Sequence, residues 1–267
     1  MADALLSPTV GVTLWAASAA TLAWCSKRLR SDPREHLVPL MGVLGAFVFA
    51  AQMINFAIPG TGSSGHISGG LLLAILLGAP AAFVVITSVL TVQALFFADG
   101  GLLALGANIF NLGVIPCFIA YPLIYRPLLK AAGASPSKNR VVMITVLAAV
   151  IGLQLGALGV VIQTQLSGIS SLPLNTFLLL MQSIHLPIGV VEGLATAAVF
   201  AFIRAARPDL VNMVGGGRVT AGFSGRMIAT FALLALVMGG GLSWFASTAP
   251  DGLEWSIEHA TLSSKPE

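Results

Sequence analysis

Two histidines and one carboxylate stand where a strongly apolar chain has least reason to keep them. His66 follows the segment Pro59-Gly60-Thr61-Gly62-Ser63-Ser64-Gly65, and His185 precedes Glu192 inside the apolar run 176–203. A neutral imidazole delivered on a Gly-rich loop is a good ligand for nickel, cobalt or copper. The plainer reading of His66, a capping or hydrogen-bonded histidine, needs no metal. His185 and Glu192 lie two turns apart on one helix face, with Pro187 between them expected to kink that helix. A carboxylate within hydrocarbon costs ~2.5 kcal/mol or more, so Glu192 must be protonated, paired or wet. The pair therefore reads as a proton or cation relay, or as a polar lock onto a neighbouring helix.

The remaining polar residues in apolar segments are amides: Gln52, Asn55, Gln93, Asn108, Asn111, Gln154, Gln163 and Gln182. Such side chains commonly join membrane helices by hydrogen bonds worth ~0.6–2 kcal/mol. Gly152 with Gly156, and Gly189 with Gly193, have the small-xxx-small spacing that lets helices approach closely. No catalytic residue is assigned. Gly60-Thr61-Gly62-Ser63-Ser64-Gly65 satisfies G-x-G-x-x-G, but it follows a membrane segment and no acidic residue stands about 20 positions on. H-E-x-x-H, a G-x-S-x-G elbow and the G-x-x-x-x-G-K-[ST] phosphate loop are all absent from the sequence. Cys25 and Cys117 are far apart and have no zinc spacing.

Composition decides what positions these residues. The chain is 57% hydrophobic and 9% charged, against roughly 25% charged for a soluble domain. No water-facing surface of ordinary size can be built from it, so the class is an all-α polytopic membrane bundle. Apolar runs cover 8–26, 37–58, 66–97, 101–125, 141–166, 176–203 and 227–246. All 13 Lys and Arg except Lys265 fall in 27–34, 126–140 or 204–226, and the positive-inside rule puts these three clusters in the cytoplasm. An even number of crossings must then separate the first cluster from the second. Dividing 66–97 at Gly78-Ala79-Pro80 into helices at 66–78 and 81–97 satisfies that parity. The expectation is about eight transmembrane helices in the cell (inner or plasma) membrane with both termini outside. Ser64 and Thr248 are expected to face outward and Ser137 inward. The net charge of +3 follows from topology and is no sign of nucleic-acid binding.

At the Gly-rich loop the sequence resembles a known family. The residues are Ala50-Ala51-Gln52-Met53-Ile54-Asn55-Phe56, then Ile58-Pro59-Gly60-Thr61-Gly62-Ser63-Ser64-Gly65-His66, then Gly69-Gly70 and Leu76-Leu77-Gly78. They are similar to the CbiM/NikM type, the cobalt- and nickel-selecting membrane components of energy-coupling-factor transporters. Leu95-Phe96-Phe97-Ala98-Asp99-Gly100-Gly101 and His185-Leu186-Pro187-Ile188-Gly189-Val190-Val191-Glu192-Gly193 also look like that family. Pro250-Asp251-Gly252-Leu253-Glu254 is similar to the PDGLE segment of the small auxiliary subunit in these systems.

The resemblance implies a metal-binding membrane component over 1–205, a cytoplasmic linker over 206–226 and an auxiliary helix with outer tail over 227–267. It implies import of Ni²⁺ or Co²⁺ as cargo, no organic cofactor, and partnership with a separate membrane coupling (T) subunit and cytoplasmic ATPases in the bilayer. His66 becomes the loop ligand, supported by Asn55, Gly60, Gly62, Ser64 and Gly65. Family members begin Met-His-x-Ala-Asp-Gly and bind metal through the amine, an amide and the histidine of that start. This chain begins Met1-Ala2-Asp3-Ala4, which aligns if two residues precede Met1, so the Met1 amine is the remaining terminal candidate. The alternatives are a vitamin or small-molecule component of the same transporter class, with a larger aromatic-lined cavity, and a membrane-embedded enzyme using His185 and Glu192, with Asp99.

Overall fold

A bilayer offers no partner for a free N–H or C=O, so apolar runs become helices that bond internally. The computed structural model describes residues 1–31, 37–133, 136–206 and 225–263. Its helices are α1 (Pro8–Arg30), α2 (Leu37–Gln52), α3 (Gly70–Leu77), α4 (Ala79–Phe96), α5 (Leu105–Ala131), α6 (Lys138–Ser167), α7 (Leu174–Ala206), α8 (Gly225–Gly240) and α9 (Gly252–Ser263). Between α2 and α3 stands a small antiparallel hairpin, β1 (Phe56–Ile58) with β2 (Ser63–Gly65), pairing Phe56 with Gly65 and Ile58 with Ser63.

Among the described residues six helices are long and apolar enough to cross a membrane: α1, α4, α5, α6, α7 and the segment Ile228–Phe245 that includes most of α8. The crossing expected at 66–78 takes a different form. Its helix has eight residues, about 12 Å at ~1.5 Å per residue, and a ~30 Å core needs more. Gly78, at φ +81°, makes the sharp turn into α4. In α5 the middle stretch Phe110–Tyr125 widens into a π-helix around Pro116 and Pro122. Proline lacks the N–H and crowds the carbonyl four residues back, and the wider path accommodates both faults. Pro187 does not break α7.

Close packing sets the order of the bundle. Ser18 Oγ donates to Gly106 O at 2.8 Å, and further along Trp24 meets Phe118 edge-on, so α1 and α5 run parallel. α6 and α7 are antiparallel neighbours, and a Cβ on Gly193 or Gly189 would collide with the backbone of Val146 or Val150. A Cβ on Gly152 would likewise crowd the Ala120 side chain of α5. Amide pairs lace the same interfaces. Asn111 and Gln163 exchange bonds of 2.8 and 3.0 Å, while Gln154 and Gln182 each donate to the other's carbonyl.

Lys27, Arg28 and Arg30 end α1, Arg126 and Lys130 end α5, Lys138 and Arg140 begin α6, and Arg204 is near the end of α7. These directions bring the basic residues to one end of the bundle, and Asp3, Asp99, Asp251 and Glu254 gather around Met1 at the other. The expected linker 206–226 lies mostly outside the described residues. Ser64, expected to be accessible, is completely buried beneath the chain at Ala249–Pro250. Thr248 and Ser137 are exposed. In a variant lacking Cys25 and Cys117, a cysteine at Thr248 should react with an impermeant thiol reagent on intact cells. One at Ser137 should react only after the membrane is opened, and the reverse pattern would invert the bundle.

Candidate metal site

The Gly-rich segment is a built hairpin, and its turn explains its glycines. Gly60 and Gly62 adopt φ of +78° and +72°, a region that L side chains rarely enter. β2 then approaches α7 so closely that a Cβ on Gly65 would stand 2.6 Å from Ile188 Cγ1. The chain continues through His66 and Ser68 into α3 without a helical hydrogen-bond ladder. Non-helical backbone within a membrane protein has to be satisfied by other protein groups.

Glu192 supplies that satisfaction. Ser68 N donates to its Oε2 at 3.0 Å, Ser68 Oγ to Oε1 at 2.5 Å and Gly69 N to Oε1 at 3.2 Å. Ser68 O accepts from Gln52 Nε2, whose own Oε1 accepts from Gln93 Nε2, both at 2.7 Å. Gly69, the N-cap of α3, has no side-chain cap of its own, so Glu192 caps that helix from α7.

Above this lock lies a cavity of about 120 Å³, room for several waters. Its wall includes Met1, Gly65, His66, Asn108, Asn111, His185, Glu192 and Asp251, with no Phe, Tyr or Trp among the lining residues. Met1 O is held by Asn108 Nδ2 at 3.2 Å and Gly101 N at 3.3 Å, while Asp3 Oδ1 accepts from Ala104 N at 2.9 Å. His66 and His185 are half-buried. Their Nδ1 atoms stand 3.3 Å from Ile67 O and 2.7 Å from Met181 O. Among the described residues no three His, Cys, Asp or Glu side chains cluster to hold a metal. Imidazole, amine and main-chain groups are thus the donors that this wall offers.

The cobalt-uptake substrate-specific transmembrane region (CbiM) matches residues 1–210. The chain belongs to the CbiM family. A PDGLE domain matches residues 225–267. A relative from Archaeoglobus fulgidus, named for fused nickel transport (NikMN), is 35% identical over 87% of this chain and 75% of its own. The cobalt transport protein CbiM of Geobacter sulfurreducens is 32% identical over 94% of this chain and 74% of its own. The crystal structure of a truncated transition metal transporter superposes with a TM-score of 0.67 at 30% identity, covering 77% of this chain and 98% of that one. The chain is thus a membrane component of a metal transporter, multi-pass in the cell membrane, and not an enzyme.

The PDGLE segment of this CbiM-family chain sits on the hairpin. Ser64 N and Ser64 Oγ donate to Pro250 O and Ala249 O, each at 2.8 Å, and Ser247 N donates to Asn55 O at 2.7 Å. Trp255 Nε1 donates to Thr61 O at 2.9 Å. Asn55 and Ser64 thus bind the tail, whereas Gly65 and His66 face the cavity. His185 and Glu192 turn to different partners, Glu192 to the loop and His185 to the cavity. Sequence spacing offered a relay between these two or a polar lock onto a neighbouring helix, and it overlooked Asp251 as a wall of the site. The signal was the string Asp251-Gly252, whose glycine admits close approach to another chain segment.

Removing Glu192 should loosen the site from below. Each buried donor left unpaired costs about 1–3 kcal/mol, so Glu192→Ala should destabilise the protein by at least about 3 kcal/mol, read by thermal unfolding in detergent. Glu192→Gln, which keeps acceptor oxygen, should lose less. Equal melting temperatures for Glu192→Ala and the parent would show that these bonds carry no weight.

Proposed function

We propose that this chain is the cargo-binding component of an energy-coupling-factor transporter and takes up Ni²⁺ or Co²⁺ from the outer side. The carrying observation is His66, held directly after the buried strand β2 at the wall of a small cavity that Met1 also borders. Imidazole and amine nitrogens suit both metals, and nickel and cobalt appear in the relatives' names. Asp3, Asp99, Asp251 and Glu254 act together on an amine at Met1, so the mouth is acidic and attracts cations.

Ligand nitrogens must shed their protons to bind metal. Burial pulls an amine at Met1 below its ordinary value, while Asp251, Asp99, Glu254 and Asp3 pull it upward. The lowered value leaves more neutral amine near pH 7, which favours coordination. His66 Nδ1 faces a carbonyl, which can only accept, so that nitrogen carries the proton and Nε2 keeps the lone pair. Residues 1–205 form the cargo-binding part and 227–267 the fused auxiliary part. Separate ATPases would supply the transport energy through a membrane coupling subunit, a division of labour that agrees with the lack of a phosphate loop in this sequence. A cavity of about 120 Å³ without aromatic walls favours a metal over a vitamin.

Purified protein should retain near-stoichiometric Ni²⁺ or Co²⁺, and His66→Ala should lose it while unfolding at the parent's temperature. Unchanged metal content in that variant would remove His66 from the site. Because nitrogen ligands compete with protons for their lone pairs, calorimetry should show weaker metal binding as the pH is lowered, and a flat profile would speak against nitrogen ligation.

A further inference from the structure

We propose that His185 is a second metal ligand in this cavity, so that the cargo is held between the hairpin and α7. The proposal rests on the cavity being the cargo site. His66 and His185 come from distant parts of the chain, yet both line the same small space. Each presents Nδ1 to a main-chain carbonyl, Ile67 O and Met181 O respectively. A carbonyl cannot donate, so Nδ1 holds the hydrogen in both rings and the lone pair is on Nε2. Among the described residues neither Nε2 has a hydrogen-bond partner. A hydrogen bond of this kind is what fixes a metal-ligating imidazole in its tautomer and orientation.

The His185 ring is held from a second side as well. Gly252 packs so near that a Cβ there would stand 3.1 Å from His185 Cε1. The ring is thus set by Met181 one turn earlier in the helix and by the tail across from it. Asp251, the neighbour of Gly252, is in the same wall and brings a carboxylate whose charge opposes that of a divalent cation. An ordinary helix-satisfied histidine needs only the bond to Met181. It does not need a fused segment brought over its edge, nor a shared cavity with a second imidazole whose lone pair is also unspent.

The test uses the full chain loaded with Ni²⁺ or Co²⁺. X-ray absorption fine structure on the unaltered protein should count two imidazoles at the metal. His185→Gln, which preserves most of the volume, should lower the count to one and weaken affinity by at least about tenfold, the scale on which metal-site partners act. A count of one in the unaltered protein, or an unchanged count in His185→Gln where His66→Ala loses one, would overturn the proposal and leave His66 as the ligand. Metal bound equally by the parent, His66→Ala and His185→Gln would instead overturn the cavity as the cargo site. If His185→Gln does not fold, the count on the unaltered protein decides alone.

Discussion

Three hydrogen bonds from Ser68 and Gly69 to Glu192 hold together the part of this protein on which the site depends. The hairpin and the residues after it leave the helical ladder within a helical membrane bundle, where each orphaned N–H would cost kilocalories. Glu192 is 2% exposed, and its two oxygens take these donors while Gln52 satisfies the carbonyl between them. A carboxylate that is expensive in hydrocarbon is thereby matched to backbone donors that are equally expensive there. Neither group is stable in this setting without the other. The network reaches α7, α2 and, through Gln93, α4, so three helices from separate parts of the chain are joined at the start of α3.

The outer end of the hairpin is fixed by different means. Ser64, Asn55 and Thr61 bind the segment Ser247–Trp255 through main-chain and side-chain bonds of 2.7–2.9 Å. The PDGLE segment is therefore part of the wall around the cavity, and Asp251 and Gly252 reach the lining only because of these contacts. Fusion in one chain keeps the tail at a high effective concentration over its hairpin. Ser64, expected from the topology to face outward, is one of the most buried of the described residues because the tail covers it.

Fold class was legible because it rests on composition and run length, which local sequence carries directly. The break at Gly78 was legible for the same reason, since Gly-Ala-Pro cannot continue a helix. Crossing count was less so, because α3 covers only part of the bilayer and the rest of its path is non-helical. Glycine spacing correctly marked the α6–α7 contact through Gly189 and Gly193. Partnerships were not legible. The seven-residue step from His185 to Glu192 states that they share a helix face and says nothing of what faces them. The partners, Ser68 for one and a cavity with His66 for the other, come from a hairpin more than a hundred residues away. Likewise Asp251 reads as an outer acidic residue until the hairpin bonds place it beside Met1.

His66 lies between the two fixed points, two residues before Ser68 and two after Ser64. With one side bonded to the tail and the other to Glu192, the backbone that carries its imidazole has little freedom left to lose. As the proposed ligand, His66 would be ordered before cargo arrives and so avoid the entropic cost that weakens flexible sites, commonly ~0.5–1.5 kcal/mol for each side chain immobilised on binding. Met1 is restrained in the same manner by Asn108 and Gly101, and His185 by Met181 and Gly252. The cavity is thus bounded by groups whose positions are set by bonds outside it. Such a site discriminates by geometry and donor type, which is how borderline divalent metals, similar in charge and size, are told apart.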